Sequence, residues 1–548
     1  MKNMDMNSFV KANLLDGGAN NAYTENGAVS YFTAGSALLD QFAHAGTARG
    51  RDINTVWTEQ AELWGENPLN ALRFPFYLRM ITRQTNVLDG DKTEKVQKGQ
   101  GAKDEAFKRF LWIARFHSEE FYRNLWLIPV VGSWKDLWVL LSMDDSLNKE
   151  KFFDVIAMGI NDPNHKDLVK KYLPRIRSNN VCTTDWAKKT NQLAKSFAKY
   201  VGWSAKDYRD FKSTGKAHEF QRIICAGNYA NIDWKTIPGK ALLNLVSGKF
   251  LDNHGLHDNY IKWLMAQPVA KFNGYPFELA MRLPKYYYDK VSDVTKITID
   301  KQFKNLIETA SKDGEAIKGN VLCALDTSGS MTAPIEGGPR GLTSYDVCVS
   351  LGIYFSELNK GAFHNVVAMF DDTSTLLKLK GDSFTDKWYQ IMNQTTAWGS
   401  TNFQSVVNLL VDTRKKHPEM PLEDFPQTLL VVSDMQFNPT NGWHVNRTNN
   451  DVMLAKLREV FPDEWVNNFK AVWWYCAGRE GASQDVPATM EHGGQYLVSG
   501  FDGSVISLIL GGEPKFDEQG NVVQPTMEEI VQAALTQEVL QLVQCPVI

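Results

Sequence analysis

The feature that most constrains the fold of this chain is a change in hydrophobic periodicity near residue 319. Before this point, apolar residues recur at spacings of three and four, which is the pattern of amphipathic helices. After it, short uninterrupted apolar runs alternate with helical stretches, as in sheets of buried parallel strands. The sequence therefore predicts a helical part over 1–318, an α/β part over 319–512, and a C-terminal tail and helix over 513–548.

The helical part is predicted to contain many short amphipathic helices joined by short connections. The stretch TVWTEQAELWGENPLNALRFPFYLRMITR is typical, with helical spacing on both sides of a break expected at Gly65–Asn67–Pro68. Further along, Ser133 is placed to cap the helix that begins at SWKDLW. No strict repeat period is visible, so the sequence predicts an irregular, HEAT-like α-solenoid, a fold that offers a long concave surface.

The α/β part contains five uninterrupted apolar runs that have the length of strands. They are VLCAL (321–325), NVVAMF (365–370), TLLVVS (428–433), AVWWYCA (471–477) and QYLVSG (495–500). Helical patterns such as YDVCVSLGIYFSEL and TNFQSVVNLLVDTRKK lie between them. This alternation predicts a doubly wound, Rossmann-like domain with a parallel sheet. Ligands of such sheets bind beyond the carboxyl ends of the strands.

The positive charge of the chain is concentrated in one segment of the helical part. The whole protein has a net charge of −4, whereas residues 151–250 hold 18 basic and 8 acidic residues, a net of +10. A basic segment in an otherwise acidic protein is a candidate surface for a polyanion. The alternative is that these lysines only solvate the outer faces of helices.

Composition excludes several classes of protein. The chain is 22% charged and 43% apolar, as ordinary globular proteins are. Its six cysteines show no paired spacing, which argues against a disulfide framework or a zinc ribbon. The first residues lack the apolar region of a signal peptide, and the most apolar long stretch is interrupted by Pro129, Lys135 and Asp136. We therefore expect a cytoplasmic protein that does not enter a membrane.

The first predicted strand of the α/β part runs into DTSGS, which presents Asp326, Ser328 and Ser330. A second loop, WGSTNFQS, offers Thr401 before a helix, and a third begins at Asp434, directly after a strand. Because the carboxyl ends of parallel strands meet at one edge of a sheet, these side chains are expected to gather there. Carboxylate and hydroxyl oxygens suit Mg²⁺ or Mn²⁺, with one coordination position left for water or a partner's carboxylate.

Other interpretations of DTSGS fit the sequence less well. A seryl nucleophile needs a Gly-x-Ser-x-Gly turn and a histidine, but Asp326 stands two residues before Ser328, where that motif requires glycine. An aspartyl nucleophile at Asp326 lacks a neighbouring lysine or a second motif carboxylate. An ordinary turn remains an alternative, because a single Asp-x-Ser-x-Ser is a weak pattern by itself.

The combination of these three loops resembles the metal-ion-dependent adhesion site of von Willebrand factor A domains. The matching residues are Asp326-x-Ser328-x-Ser330, Thr401 in GSTNF and Asp434 in VVSDMQF, and GFDG (500–503) resembles the end of that fold. The resemblance implies that the two serines and Thr401 ligate the ion, with both aspartates nearby or acting through water. The chain departs from the family at TAPIEGGPRGLTS (332–344), which delays the next helix and would partly cover the site.

The helical part has a resemblance of its own. The segments ENGAVSYFTAGSALLDQF, ALRFPFYLR, IPVVGSWKDLWVLL, KYLPRIRS and DYRDF resemble proteins that join a TROVE-type helical module to a von Willebrand A domain. Ro-type proteins are the best-known members, and the resemblance is to a less characterised branch that occurs in viruses and eukaryotes. In Ro-type proteins the helical repeats form a ring that binds structured non-coding RNA outside and single-stranded RNA ends inside. The resemblance therefore implies RNA as the ligand of the basic segment.

An RNA ligand needs lysine and arginine side chains to neutralise its phosphates, and its affinity falls as salt rises. The segment KKYLPRIR is the strongest candidate, because Pro174 breaks a helix where four cations crowd together. The predicted phosphate contacts are Lys170, Lys171, Arg175, Arg177, Lys188, Lys189, Arg209 and Arg222, and a wider set adds Lys195, Lys199 and Lys212.

These observations predict a non-enzymatic RNA-binding protein that carries a Mg²⁺ or Mn²⁺ site and forms a ribonucleoprotein with structured or single-stranded non-coding RNA. Sequence-specific DNA binding is not expected. The alternative is a protein–protein module, or a virion or assembly scaffold, in which the ion captures a partner's carboxylate. A hydrolase or phosphotransferase is the least supported class, because the sequence places no general base.

Overall fold

A computed structural model describes most of the chain. It covers residues 21–81, 97–178, 181–214, 219–283, 291–312, 317, 319–395, 398–440, 447–478, 486–510, 515–516 and 522–546. Contacts divide the chain into two compact units, here called the sheet unit (Met1–Arg51 and Phe272–Ala533) and the helical unit (Asp52–Lys271 and Ala534–Ile548). In the part of the chain that is described, no helix is both long enough and apolar enough to cross a membrane.

The first described elements of the sheet unit are a small hairpin and one helix. The hairpin pairs Ala22 with Ser30 in antiparallel register, and Gly27 permits the turn because its φ is 86°. The side chain of Ser36 caps the helix by accepting a hydrogen bond from the N–H of Leu39. The elements are β1 (Asn21–Tyr23), β2 (Val29–Tyr31) and α1 (Ala37–His44).

The helical unit consists of short helices, as the periodicity predicts. The break before Pro68 is confirmed: the side chain of Asn67 caps the second helix and Pro68 occupies its first turn. Ser133 and Asp136 form a capping box at the expected place. The helices are α2 (Ile53–Glu66), α3 (Pro68–Arg79), α4 (Lys103–Phe116), α5 (Ser118–Asn124), α6 (Leu127–Val131), α7 (Trp134–Met143), α8 (Lys149–Asn161), α9 (Lys166–Tyr172), α10 (Asp185–Tyr200), α11 (Ala205–Ser213), α12 (Glu219–Cys225), α13 (Gly239–Val246), α14 (Phe250–His254) and α15 (His257–Met265).

Aromatic side chains form much of the core of the helical unit. Trp138 of α7 meets Phe197 of α10 edge to face at 5.8 Å, and Phe153 of α8 meets Phe197 at 5.3 Å. The end of the chain packs back on this unit, where Arg73 donates from Nε to the carbonyl of Leu540 at 3.1 Å. The aromatic residues at helical spacing therefore serve mainly as core, and the C-terminus completes the unit.

The remaining elements belong to the sheet unit, except that the boundary between the two units falls inside the last helix. They are α16 (Pro276–Ala280), α17 (Asp293–Lys312), β3 (Val321–Asp326), α18 (Ser344–Leu358), β4 (Val366–Phe370), β5 (Ser374–Lys378), α19 (Phe384–Gln394), α20 (Gln404–Lys416), β6 (Thr428–Ser433), α21 (Asn449–Arg458), α22 (Asp463–Asn467), β7 (Lys470–Tyr475), β8 (Gln495–Ser499), α23 (Ile506–Leu510), β9 (Lys515–Phe516), β10 (Val522–Val523) and α24 (Met527–Leu535).

The main sheet has six strands in the order β5-β4-β3-β6-β7-β8. The five predicted strands are confirmed and run parallel, but the prediction of an entirely parallel sheet is wrong. Strand β5 was missed, and it pairs antiparallel with β4 at the edge of the sheet. Its side chains are mostly exposed or half-buried, so it lacks the continuous apolar run that marks the buried strands. From the central β3 the chain passes to β4 on one side and later to β6 on the other, which opens a crevice at the carboxyl ends of β3 and β6.

The compact units differ from the division that the sequence predicts at residue 318. Helix α17 has helical periodicity, yet it packs in the sheet unit, where Asp300 accepts hydrogen bonds from the N–H and the hydroxyl of Thr385, both at 2.9 Å. Residues 21–51 also belong to the sheet unit. Periodicity reports which elements are helical, whereas the core that a helix joins depends on contacts distant in sequence.

Two helical glycines are predicted to respond oppositely to alanine. Propensity alone favours alanine over glycine in a helix by about 1 kcal/mol. A Cβ on Gly65 would meet nothing within 4 Å, so Gly65→Ala should raise the free energy of unfolding by up to about 1 kcal/mol. A Cβ on Gly159 would lie 2.2 Å from the ring of the buried Trp134, so Gly159→Ala should lower the free energy of unfolding by about 1–3 kcal/mol. Urea denaturation measures the free energy of unfolding of both variants. Equal stabilities of the two variants would contradict the packing of α8 against Trp134.

Candidate cation site and basic groove

Three loops at the carboxyl edge of the main sheet carry the candidate cation ligands. The DTSGS loop (326–330) follows β3, the Thr401 loop (398–403) precedes α20, and the Asp434 loop (434–440) follows β6. Strands β3 and β6 are neighbours in the sheet, so the first and third loops begin side by side. The sheet order therefore places the DTSGS loop and the Asp434 loop at the same edge of the sheet.

The DTSGS loop brings a carboxylate and two hydroxyls together. Asp326 ends β3, and its Oδ1 accepts a hydrogen bond from the N–H of Ser328 at 3.0 Å. A 3₁₀ turn, Gly329–Thr332, places the hydroxyl oxygens of Ser328 and Ser330 3.1 Å apart. Asp326 and Ser328 are buried, whereas Ser330 is half-buried. The two hydroxyl oxygens are close enough to bind one ion together.

Backbone hydrogen bonds tie the Thr401 loop to the other two loops. The N–H of Gly329 donates to the carbonyl of Gly399 at 3.0 Å, and the N–H of Asn438 donates to the carbonyl of Thr401 at 2.8 Å. Thr401 itself is buried, with 1% of its surface exposed. The candidate ligand from this loop is therefore held between the DTSGS loop and the Asp434 loop.

The Asp434 loop is tied to Asp326 through a residue that the sequence did not single out. The hydroxyl of Ser433, the last residue of β6, donates to Oδ2 of Asp326 and accepts from the N–H of Met435 at 2.9 Å. Asp434 follows directly, and its Oδ1 accepts from the N–H of Gln436 at 3.2 Å. Both oxygens of Asp326 thus accept hydrogen bonds, which favours a carboxylate that acts on an ion through water.

Backbone strain is concentrated in these loops. Trp398 and Met435 have φ angles of 47° and 61°, in the left-handed region that bulky residues rarely adopt. Such conformations cost about 1–3 kcal/mol each and persist only where surrounding contacts hold them, often at functional sites. The strain lies beside Thr401 in one loop and beside Asp434 in the other.

An outer carboxylate anchors the Thr401 loop. Asp372, which follows β4, accepts a hydrogen bond from the N–H of Ser400 at 2.9 Å and another from the Ser400 hydroxyl. These bonds hold the pKa of Asp372 below its ordinary value. The carbonyl of Asp372 also accepts from the side-chain amide of Asn402 at 2.9 Å. The residues on both sides of Thr401 are therefore fixed.

Two buried carboxylates lie at the ends of neighbouring strands in this site. Asp326 and Asp434 are both about 1% exposed or less. Burial, and then the charge of Asp434, raise the pKa of Asp326 from 3.8 to about 7, although hydrogen bonds from Ser328 and Ser433 oppose the rise. A bound divalent cation offsets the repulsion between two such carboxylates. The electrostatics of the site therefore fit the Mg²⁺ or Mn²⁺ that the residue types predict.

Among the described residues, no group of three or more His, Cys, Asp and Glu side chains could hold a metal ion. A cation between the three loops would draw on the hydroxyls of Ser328, Ser330 and Thr401 in addition to the two carboxylates. Hydroxyl and carboxylate oxygens are hard donors, and they suit Mg²⁺ or Mn²⁺ better than a soft metal.

The insertion at 332–344 delays α18 as predicted and folds back on itself. The N–H of Ile335 donates to the carbonyl of Leu342 at 2.9 Å. Gly337 packs against the backbone of Gly50 so closely that a Cβ on Gly337 would lie 2.5 Å from the Gly50 nitrogen. Ser330 stays half exposed, which makes it the point where the site reaches the surface.

A second candidate site is a groove of about 890 Å³ in the helical unit. Six cationic side chains from two helices, the α9 terminus and the loop after it line this groove, and no Asp or Glu is among its described lining residues. The cations are Lys135, Lys171, Arg175, Arg177, Arg209 and Lys212. Trp186, at the start of α10, also lines the groove and is 45% exposed. The groove therefore combines concentrated positive charge with one accessible indole.

Internal hydrogen bonds shape the loop after α9. The ammonium of Lys212 donates to the carbonyl of Lys170 at 3.0 Å, and the hydroxyl of Tyr208 donates to the carbonyl of Pro174 at 2.8 Å. Burial, and then the charge of Arg175, lower the pKa of Lys212 to about 8. The N–H of Arg177 donates to Oδ1 of Asn191 at 2.9 Å. These hydrogen bonds hold the backbone that carries the cations of this loop.

The structure brings together four of the eight predicted phosphate contacts. The four residues that line the groove are Lys171, Arg175, Arg177 and Arg209. Lys170 does not line it, and its ammonium lies over the ring of Phe211, 4.9 Å from the centroid. Lys170 therefore packs against an aromatic ring beside the groove and does not contribute to its lining.

The other three predicted contacts lie outside the groove. Lys188 pairs with Asp185 at 3.2 Å, and Lys189 pairs with Asp145 at 3.1 Å. Arg222 lies in α12 and does not line the groove. Whether any of the eight binds RNA stays a prediction.

Sequence reasoning missed two residues of these sites. Lys135 lines the groove from α7, more than thirty residues before the KKYLPRIR segment, and no local signal connects the two. Ser433 bonds to Asp326 across two strands. Its position in the SDM sequence, directly before Asp434 at the end of an apolar run, was a signal that could have identified it.

Comparison with known proteins gives two matches. Residues 320–543, which include the main sheet, match a family described as "Domain of unknown function (DUF7788)". Over 534 residues, the chain is 23% identical to "Uncharacterized protein L728" of Acanthamoeba polyphaga mimivirus, an alignment that covers 90% of this chain and 85% of that protein. The second match extends over both compact units. Neither description names a ligand or an activity.

The buried pair of carboxylates predicts a pH-dependent response to Mg²⁺. Because the pKa of Asp326 is raised in the folded state, the metal-free protein should lose stability as the pH rises from about 4 towards 7, where the folded protein gives up this proton. Mg²⁺ needs the ionised carboxylate, so the increase in Tm on adding Mg²⁺ should be larger at pH 8 than at pH 5. At a concentration one hundred times the Kd, the gain should be about 2.7 kcal/mol. Thermal unfolding with Mg²⁺ and with EDTA measures both effects.

Asp326→Asn provides the control for this experiment. The amide keeps the shape of the side chain but carries no charge, so this variant should lose both the response to Mg²⁺ and this part of the pH dependence. An increase in Tm with Mg²⁺ that is equal at both pH values, or equal in the variant, would contradict the assignment of Asp326.

Proposed function

We propose that the protein is a non-enzymatic RNA-binding protein whose helical unit holds RNA phosphates in the basic groove. The observation that carries this proposal is the convergence of six cations on one groove whose described lining contains no acidic side chain. Cationic side chains neutralise phosphates and release counterions, which supplies much of the affinity of proteins for nucleic acids. The exposed Trp186 offers a surface on which an unpaired base can stack. These features favour non-coding RNA with single-stranded parts.

We also propose that the helical region is a TROVE-like α-solenoid and that the sheet unit contains a doubly wound, von Willebrand A-type domain. Counted from β3, the strand order β5-β4-β3-β6-β7-β8 is 3-2-1-4-5-6, the order of Rossmann-type sheets. The candidate cation site lies where the strand order reverses, between β3 and β6, which is where such sheets bind ligands. The strand order and the site position support this finer assignment.

A second function, favoured by the three joined loops, is cation-dependent binding of a partner protein. In this proposal Ser328, Ser330 and Thr401 ligate Mg²⁺ or Mn²⁺, with Asp326 and Asp434 close by or acting through water. The ion supplies a coordination position at which a partner's Asp or Glu can bind. A role in a virion or another assembly, with the helical unit as scaffold, belongs to the same proposal.

Nothing in the geometry favours catalysis at the DTSGS loop. The Ser328 hydroxyl pairs with Ser330 and its N–H with Asp326, and no described histidine is among its hydrogen-bond partners. A nucleophilic serine needs a base within hydrogen-bonding distance. We therefore propose no reaction for this protein.

The RNA proposal predicts that charge reversal in the groove weakens binding. Arg175→Glu together with Arg177→Glu should lower the affinity for a labelled single-stranded RNA of mixed sequence. The slope of log affinity against log salt should fall by about 2, because two phosphate contacts are lost. Fluorescence anisotropy across a salt series measures both quantities. Absence of RNA binding by the wild-type protein at low salt would reject the proposal.

The matched control is Lys188→Glu together with Lys199→Glu. This double variant changes the net charge by the same amount, but neither residue lines the groove. It should bind RNA nearly as well as the wild-type protein, apart from the small long-range effect of charge that salt screens. Equal losses of RNA affinity in the two double variants would mean that RNA binding depends on the net charge of the protein and not on the groove.

The partner proposal predicts that the Thr401 hydroxyl contributes to the binding of Mn²⁺. Thr401→Ala removes the candidate ligand and should lower the affinity for Mn²⁺ by about tenfold or more, in line with the loss of one charge-assisted contact. Thr401→Ser keeps the hydroxyl and should retain most of the affinity. Electron paramagnetic resonance titration of free Mn²⁺ measures the Kd, and equal loss in the two variants would argue against Thr401 as a ligand.

A further inference from the structure

The tip of the N-terminal hairpin bonds directly to the Asp434 loop. The hydroxyl of Thr24 donates to the carbonyl of Phe437 at 2.7 Å and accepts from the N–H of Ala28 at 3.0 Å. The N–H of Glu25 donates to Oε1 of Gln436 at 2.6 Å. Thr24 is buried, although it lies more than four hundred residues from Phe437 in the chain. The hairpin therefore fixes the backbone of a loop that carries a candidate cation ligand.

The loop that the hairpin contacts is itself hydrogen-bonded to candidate ligands. Gln436, which accepts from Glu25, donates its own N–H to Oδ1 of Asp434 at 3.2 Å. Asn438, in the same loop, donates its N–H to the carbonyl of Thr401 at 2.8 Å. The hairpin tip thus meets the middle of the Asp434 loop, whose backbone is bonded to two of the five candidate ligands.

The same N-terminal segment also meets the insertion after the DTSGS loop. Gly50 and Gly337 both have positive φ angles, of 68° and 65°, and their backbones touch. A Cβ added to Gly337 would lie 2.5 Å from the nitrogen of Gly50, so this contact permits only glycine at position 337. Between the two contacts, the N–H of Gly46 donates to the hydroxyl of Ser499 at 3.0 Å, which holds the segment on β8. Residues 21–50 therefore contact two of the segments that surround the site, the Asp434 loop and the insertion at 332–344.

We propose that the segment 21–50 is a positioning element for the cation site, and that Thr24 holds the Asp434 loop in the conformation that binds the ion. This inference rests on the proposed cation site. Met435 is strained, with a φ of 61°, so the loop needs outside contacts to keep its conformation. The hairpin supplies three hydrogen bonds to this loop, from Thr24, Glu25 and Asn26.

If the hairpin positions the site, the coupling must act in both directions. A contact that favours ion binding is itself strengthened when the ion binds, because the coupling free energy is the same for either partner. Mg²⁺ should therefore slow hydrogen exchange of the Glu25 amide, which donates to Gln436. A hairpin with a structural role alone would exchange at the same rate with and without the ion.

The test compares Thr24→Val with Thr24→Ser in the full-length protein. Valine keeps the shape of the side chain but removes the hydroxyl, whereas serine keeps both hydrogen bonds. Thr24→Val should weaken Mn²⁺ binding about fivefold and should abolish the Mg²⁺ effect on exchange of residues 21–31. Thr24→Ser should restore the Mn²⁺ affinity to within about twofold of the wild-type value.

Tyr31→Phe is the matched control. The hydroxyl of Tyr31 bonds the same segment to Asp451 of α21 at 3.0 Å, away from the Asp434 loop. Its removal should leave Mn²⁺ affinity unchanged even if Tm falls. A Thr24→Val variant that has a lower Tm but wild-type Mn²⁺ affinity would overturn the positioning role. A wild-type protein that binds no Mn²⁺ would instead overturn the proposed cation site, and the inference with it.

Discussion

The sheet unit is organised around two carboxylates that are buried side by side at the carboxyl edge of the sheet. Asp326 ends β3 and Asp434 follows β6, so the pairing of these strands forces the two groups together. Like charges repel strongly where water is excluded. The fold relieves part of this repulsion with hydrogen bonds from Ser328 and Ser433, and a raised pKa of Asp326 remains. A divalent cation would relieve the rest, which supports the proposal of a cation site here.

The loops around this pair are shaped by their neighbours more than by their own sequence. Trp398 and Met435 have strained conformations, and the residues next to them bond to distant parts of the chain. The carbonyl of Gly399 accepts from the N–H of Gly329, and the side chain of Gln436 accepts from the N–H of Glu25. The hairpin of residues 21–31 belongs to this arrangement, since it bonds to the middle of the Asp434 loop. If the hairpin positions the loop as proposed, the site would respond to changes that move the N-terminal segment.

The helical unit gathers like charges in a different manner. Its groove is solvent-accessible, so water and salt screen the repulsion among its cations. The ammonium of Lys212, a residue of α11, reaches the end of α9, where it bonds to a backbone carbonyl and complements the negative end of that helix. A polyanion placed in this groove would replace that screening with direct contacts. The ligands proposed for the two sites therefore have opposite charges, a cation in the sheet unit and a polyanion in the helical unit.

The sequence alone determined most of the elements and the residue types of the candidate cation site. Apolar runs identify the buried strands because their burial on both faces leaves a local pattern, and the positions of Asp326, Ser328, Thr401 and Asp434 follow from the rule that ligands collect at the carboxyl ends of parallel strands. Strand β5 escaped this reasoning because an exposed edge strand has no such run.

Only the tertiary structure decided which cations converge and what holds the loops. Lys135 and Arg209 meet in one groove, while Lys188 and Lys189 pair with acidic neighbours outside it, although all four look alike in the sequence. Likewise, nothing local to Thr24 indicates its bond to Phe437. Hydrophobic periodicity is set by neighbours three or four residues away, whereas these contacts join residues that are tens to hundreds of positions apart, and only packing brings them together.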